Sequence, residues 1–227
     1  MDRLLTIVYI HPHEWKRFRG TTTLFVCMSQ RQGADLSYED GARAVELARE
    51  SVESFVRHGQ REHPGSMRET FYERTGAFVR LESTRGRGSL RGCAGGYRSG
   101  EQLGHVIVDA AIEAASADSC GSEVTPSELS NLTVSVCTVR NVLLTDDPVS
   151  DLELGTHGVA IDGGGKTGWL YPTVPVENGW SEREYLDRTC RKAGLPPTAW
   201  QDDDVIVTLF EGQVFRERQS DGSIEEL

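Results

Sequence analysis

The apolar residues of this chain recur at two different spacings, and this constrains the fold more than any other feature of the sequence. Between residues 42 and 56, and again between 101 and 117, they recur at steps of three and four, as on an amphipathic helix. Residues 132–137 alternate apolar with polar, and residues 205–215 are rich in β-branched and aromatic side chains, as strands are. The two kinds of segment do not alternate regularly. The sequence therefore predicts an α+β fold with antiparallel sheets flanked by helices.

Local signals at the ends of these segments support the prediction. Ser37 is a plausible N-cap for the first helix, and Gly59 is its expected stop. Ser181 and Glu184 form a capping box that starts a further helix. Residues 158–174 predict a hairpin of two strands, with a glycine-rich tip at residues 163–168.

Charge divides the chain into three parts. Residues 1–35 carry a net charge of +2, whereas the whole chain carries −11. We interpret residues 1–35 as an N-terminal extension and expect translation to start at Met28, with a functional arm as the alternative. Residues 36–218 are predicted to form the folded domain. Residues 219–227 are predicted to be an acidic, frayed tail.

The acidic balance disfavours several classes of partner. A surface of this sign repels nucleic acid and anionic lipid, and the apolar runs are far shorter than the roughly 20 residues that cross a bilayer. Five cysteines without a CxxC pair, and the lack of a secretory signal, indicate reduced thiols in the cytoplasm. Only three of the 24 basic residues are Lys. This bias fits either a halophilic archaeon or a GC-rich genome.

One segment has the opposite charge to the rest. Residues 85–100 contain four Arg, six Gly and no acidic residue, which predicts a tight turn leading into a helix and attracting an anion or a thiolate. Cys93 lies in the middle of this segment. Because cations favour the thiolate, which is the reactive form, Cys93 is a candidate nucleophile. The alternative is a small residue that merely packs in the turn.

Other motifs are weaker. The glycines fit neither a dinucleotide fingerprint nor a phosphate-binding loop, and the sequence predicts no cofactor and no metal site. The Arg-Gly pattern is also found in RNA-binding tracts, but the acidic chain disfavours that role. His105 and His157 are candidate bases for Cys93, Glu177 could line a pocket, and Cys190 is expected in the core.

At residues 90–95 the chain reads Leu-Arg-Gly-Cys-Ala-Gly, which resembles the LRGC(I)G signature of the AMMECR domain family. Further blocks resemble that family in the same order, and the resemblance extends from about residue 38 to 217. These blocks are residues 154–159, 170–177, 179–180 and 190–196. The chain departs from the usual family pattern at Ala94, at Thr173 and at residues 118–121.

The resemblance implies an α+β unit of two interleaved subdomains with a cleft between them, and a cysteine motif that faces the cleft. By this resemblance Cys93 belongs to the signature and His157 to the other wall of the cleft, and these two residues are the catalytic candidates. The binding candidates that it implies are Arg91, Gly92, Gly95, Pro172 and Glu177.

Two functions are compatible with these residues. The first is a cysteine-dependent enzyme or acyl-handling component that acts on a small anionic substrate. The resemblance implies Memo-like and radical-SAM proteins as its partners in a modification pathway. The second is a non-catalytic adaptor that binds a protein partner through the Gly/Arg-rich cleft. RNA binding is a third and weaker alternative.

Overall fold

The computed structural model describes residues 30, 31, 33, 35–65, 67–85, 89–116, 122–218 and 222–227. The predicted N-terminal extension, with the proposed start at Met28, lies outside the described residues except for residues 30, 31, 33 and 35. The departure from the family pattern at residues 118–121 also lies outside them.

The described strands form one continuous antiparallel sheet. They are β1 (Gln30–Arg31), β2 (Ala77–Ser83), β3 (Ser89–Gly96), β4 (Leu132–Thr145), β5 (His157–Gly163), β6 (Lys166–Leu170), β7 (Ile206–Glu217) and β8 (Ile224–Glu226). The hydrogen-bonded order is β3-β2-β4-β7-β5-β6, with β1 added beside β4 and β8 beside β7. This confirms the predicted α+β class with antiparallel strands flanked by helices.

The helices follow the capping signals. They are α1 (Tyr38–His58), α2 (Leu103–Ala115), α3 (Pro148–Asp151), α4 (Thr173–Asn178) and α5 (Glu182–Lys192), with short 3-10 turns at Glu69–Tyr72, Leu129–Asn131 and Ala199–Gln201. The Ser37 hydroxyl accepts the backbone N–H of Asp40, and Gly59 ends α1 with a φ of 65°. The Ser181 hydroxyl caps α5 in the same way. No helix in the described part of the chain is long and apolar enough to cross a membrane.

The two helix layers cover different parts of the sheet. Helices α1 and α2 pack on one face of β2, β3 and β4, where side chains such as Val79, Leu81 and Val134 are fully buried. Helix α5 packs on β5, β6 and β7 through a second cluster that includes Tyr185 and Leu209. Period-two alternation sends the intervening residues to the opposite face of each strand.

Those intervening residues form a third apolar cluster on the inner face of a curled sheet. Phe78 of β2 contacts Trp169 of β6, with ring centroids 4.1 Å apart, although the two strands are not neighbours in the hydrogen-bonded order. Tyr171 and Phe210 pack against the same Phe78 ring. The curl therefore brings the two edges of the sheet, β3 and β6, towards each other.

Three local predictions were wrong. Residues 89–96 form the edge strand β3 rather than a turn. The predicted second hairpin strand, residues 169–174, ends at Leu170 and gives way to α4, because Pro172 and Pro175 cannot donate to a strand ladder. In the tail, β8 pairs with β7, and Glu225 binds both Arg216 and Arg218.

Candidate functional site

Cys93 lies near the middle of β3 and is partly exposed. It stands directly opposite Arg80 of β2, so the two side chains share one face of the sheet. Its neighbours Gly92 and Ala94 are buried on the opposite face, beneath α2. Alternation along β3 therefore directs the thiol to the inner face of the curl, next to Tyr97 and Trp169.

The positive charge beside the thiol comes from Lys192. Its Nζ lies 3.9 Å from Cys93 Sγ and 4.2 Å from the centroid of the Trp169 ring. None of the ion pairs among the described residues involves Lys192. An ammonium group stacked on an aromatic face and next to a thiol is a cation that no described carboxylate neutralises.

The fold explains how Lys192 reaches this position. It is the last residue of α5, which Tyr185 and Cys190 anchor in the second apolar cluster. A Cβ on Gly168 of β6 would lie 2.4 Å from the backbone nitrogen of Ala193. The missing side chain lets the end of α5 approach β6 closely, which sets Lys192 over the adjacent Trp169.

Two buried donors lie on the same inner face. Arg80 donates from Nη2 to Glu82 Oε1 at 2.6 Å, but its Nε is buried without an acceptor among the described residues. The hydroxyl of Tyr171 is likewise buried, and it has no partner in the described part of the chain. Burial holds the pKa of Tyr171 well above its ordinary value, and negative charge on Cys93 raises it further. This hydroxyl is therefore a permanent donor.

The second thiol on this face is inert. Cys137 is fully buried, and burial raises its pKa to about 12. Cys190 is also buried, as predicted from its position on the apolar face of α5. Of the described cysteines, Cys93 is thus the one that solvent can reach.

A polar link joins the two sides of the site. The Tyr97 hydroxyl donates to Asp162 Oδ2 at 2.9 Å, and Thr167 donates to the other carboxylate oxygen at 2.6 Å. Burial raises the pKa of Tyr97, and the nearby Asp162 charge adds to the effect. The link ties the end of β3 to β5 and β6.

Arg91, a predicted binding residue, makes structural contacts. It is the extra residue of a bulge between β2 and β3, and its guanidinium makes a bidentate pair with Glu128 at 2.7 and 3.1 Å. It also donates to the carbonyls of Ser122 and Glu123. The hydrogen bonds from Arg91 are the largest cause that lowers the pKa of Glu128 to about 2. Arg91 therefore fastens β3 to the segment before β4.

The two signature glycines also make close backbone contacts. A Cβ on Gly92 would lie 1.9 Å from the carbonyl oxygen of Ala114 in α2. Gly95 has a φ of 118°, and a Cβ there would lie 2.2 Å from the carbonyl oxygen of Ala77. Both positions are filled by backbone, which sets the distance of β3 from α2 and from β2.

The remaining candidates lie on β5 and at α4. His157 shares the face of β5 with Val159 and Ile161, which pack under α5, and its Nδ1 accepts the backbone N–H of Glu153 at 3.0 Å. Pro172 is buried at the start of α4, next to Tyr171. Glu177 is exposed on α4.

Four residues of the site were not predicted from the sequence: Arg80, Trp169, Tyr171 and Lys192. One signal was available for Lys192, because lysine is rare in this chain and the residue lies in a block that resembles the family. The described residues contain no cluster of three His, Cys, Asp or Glu side chains that could hold a metal ion.

Comparison with known proteins identifies the family. The AMMECR1 family model matches residues 45–215. A protein of Halobacterium salinarum is 69% identical over 208 residues, covering 88% of this chain and 99% of its own length. A protein of Methanopyrus kandleri is 36% identical over 200 residues, covering 86% of this chain and 96% of its own.

The fold matches a solved structure as well. The crystal structure of an uncharacterized protein from Pyrococcus horikoshii superposes with a TM-score of 0.76 at 33% identity, covering 85% of this chain and 98% of that one. Sequence and fold agree, and the predicted resemblance is confirmed: this chain belongs to the AMMECR1 family.

Proposed function

We propose that this protein is a cysteine-dependent enzyme that uses the Cys93 thiolate as a nucleophile on a small anionic substrate, with Lys192 attracting the anion. The observation that carries the proposal is the ammonium group 3.9 Å from a partly exposed thiol. A carboxylate or phosphate group bound by Lys192 would lie within reach of the sulfur.

Electrostatics favours an anion at this place and opposes it elsewhere. Two unit charges about 4 Å apart attract by about 1 kcal/mol in water and by about 4 kcal/mol at an effective dielectric constant of 20. The chain as a whole carries −11 and repels anions over most of its surface. A small anion is therefore attracted locally, by Lys192 at the C-terminal end of α5.

Acyl transfer is the reaction class that we propose for this nucleophile. The Cys93 thiolate attacks the carbonyl carbon of an activated acyl donor, such as a thioester or an acyl phosphate. A C–S bond forms, the bond to the leaving group breaks, and the leaving thiolate or phosphate departs with its electron pair. Memo-like and radical-SAM proteins are the partners that we propose for such an acyl-handling component.

Two alkylating reagents of similar size test the anion preference. Iodoacetate is anionic and iodoacetamide is neutral, and both alkylate thiolates. We expect the ratio of their rates at Cys93, followed by peptide mass spectrometry, to exceed the ratio for glutathione by several-fold. Lys192→Met should abolish the excess. Lys166→Met is the matched control, because Lys166 donates to the Gly194 carbonyl and does not face the thiol.

An unchanged ratio in Lys192→Met would remove the basis for an anionic substrate. If Cys93 also reacted like a small free thiol, and if Cys93→Ser left cellular function intact, the adaptor role would replace the enzymatic one.

A further inference from the structure

The inner face of the sheet carries a buried hydroxyl group that makes no hydrogen bond to the described residues. Tyr171 is only 4% exposed, yet its hydroxyl has no hydrogen-bond partner among the described residues. Buried hydroxyl groups are normally paired, because an unpaired one loses its hydration without compensation. An unsatisfied hydroxyl at this depth indicates an acceptor other than the described residues.

Neighbouring contacts place Tyr171 in the same inner-face cluster as the thiol. The Tyr171 ring packs edge-on against Phe78, with centroids 5.8 Å apart, and Phe78 lies two residues before Arg80 on the same face of β2. Arg80 is in turn the cross-strand neighbour of Cys93. Phe78, Tyr171 and Cys93 thus pack together on the inner face.

Arg80 supplies a second unused donor. Its Nη2 is engaged with Glu82, which fixes the plane of the guanidinium group. Its Nε is buried and has no acceptor in the described part of the chain. Two N–H or O–H donors without acceptors, on the same face of the sheet as a nucleophile, have the composition of an oxyanion hole.

Resting on the proposed function of Cys93, we propose that the Tyr171 hydroxyl, assisted by Arg80 Nε, binds the oxyanion that forms when Cys93 attacks a carbonyl carbon. In that step the thiolate forms the C–S bond, and the carbonyl π electron pair moves onto the oxygen. The Tyr171 O–H and the Arg80 Nε–H then donate hydrogen bonds to this oxyanion. Collapse of the intermediate restores the carbonyl and expels the leaving group with its electron pair. The substrate class is thereby an activated acyl compound.

The experiment compares two reactions of Cys93 that differ in the need for an oxyanion. p-Nitrophenyl acetate acylates the thiol through a tetrahedral oxyanion and releases p-nitrophenolate, whereas iodoacetamide alkylates it by direct displacement without one. Both rates are measured on the full chain, with Cys93→Ser as the background. Tyr171→Phe should slow the Cys93-dependent acylation by about tenfold or more and leave alkylation within about twofold.

Tyr185→Phe is the matched control for loss of a buried hydroxyl. The Tyr185 hydroxyl is satisfied, since it donates to the carbonyls of Leu170 and Tyr171 at 2.9 and 2.8 Å. Its removal should lower the melting temperature and leave the acylation-to-alkylation ratio unchanged. Tyr171→Phe should not lower the melting temperature, because its hydroxyl makes no bond that folding depends on.

Each other outcome overturns the inference in a distinguishable way. Equal acylation rates in wild type and Tyr171→Phe exclude the donor role and leave the proposed function standing, provided that the iodoacetate preference persists. A parallel loss of both reactions shows that Tyr171 only positions Cys93. If wild type acylates no faster than Cys93→Ser, the proposed function and the inference both fail.

Discussion

Replacing Glu128 with Gln tests whether Arg91 fastens the edge strand. The replacement leaves the side-chain shape nearly unchanged and removes the charge that faces Arg91. A shift of the Glu128 pKa from 4.5 to about 2 corresponds to about 3 kcal/mol at full strength. Because the Glu128 side chain is 34% exposed, solvent screening reduces the expected loss of unfolding free energy to roughly 1 to 2 kcal/mol at pH 7.

The effect has a defined pH window. The folded state lowers the pKa of Glu128, so the stabilisation is present in full above the unfolded pKa of 4.5 and is lost as the pH falls towards about 2. Urea unfolding at pH 7, 5.5, 4 and 3 should show wild type and Glu128→Gln converging below about pH 5. The control Glu177→Gln, on an exposed carboxylate, should change the unfolding free energy by less than about 0.5 kcal/mol at every pH. A difference between wild type and Glu128→Gln that stays constant down to pH 3 would refute the ion-pair explanation.

Two further substitutions test the packing around the site. Gly92→Ala places a Cβ 1.9 Å from the Ala114 carbonyl oxygen and should lower the unfolding free energy by about 1 to 3 kcal/mol. The control Gly100→Ala, with nothing within 4 Å of the added Cβ, should leave the unfolding free energy nearly unchanged. Equal urea midpoints for the two variants would show that β3 can move away from α2. Glu217→Gln should cost roughly 3 kcal/mol in urea unfolding, more than Glu128→Gln, because the Glu217 side chain is only 13% exposed and accepts from both Arg49 and the Val134 backbone. The reverse ranking would mean that burial does not decide the strength of these pairs.

The helices could be predicted because their signals are local. A cap such as Ser37 bonds a backbone N–H three residues away, and the left-handed stop at Gly59 depends on that residue alone. The apolar faces of α1 and α5 could be identified for the same reason, since a helix repeats its contacts within a few residues. Most of the α+β architecture follows from such short-range patterns.

The site could not be predicted in the same way, because its contacts are long-range. The glycine-rich composition of residues 85–100 suggested a turn, but pairing with β2 makes residues 89–96 a strand. Arg91 was a predicted binding residue, but in the fold its guanidinium group pairs with Glu128, 37 residues further along the chain. The ammonium group that lies 3.9 Å from Cys93 Sγ belongs to Lys192, 99 residues further along the chain. Nothing within a sequence window around the cysteine specifies it.

If Cys93 is the nucleophile that we propose, the Leu-Arg-Gly-Cys-Ala-Gly motif divides into one reacting residue and several that position it. Arg91 fastens the strand to the segment before β4, Gly92 lets it lie against α2, and Gly95 lets it lie against β2. Together these contacts fix β3 at the edge of a curled sheet, where alternation turns Cys93 to the inner face. A catalytic side chain needs to be held to within about 0.5 Å of its productive position. An edge strand is paired on one side only, so the contacts of Arg91 and Gly92 supply the constraints that a central strand would receive from a second neighbouring strand.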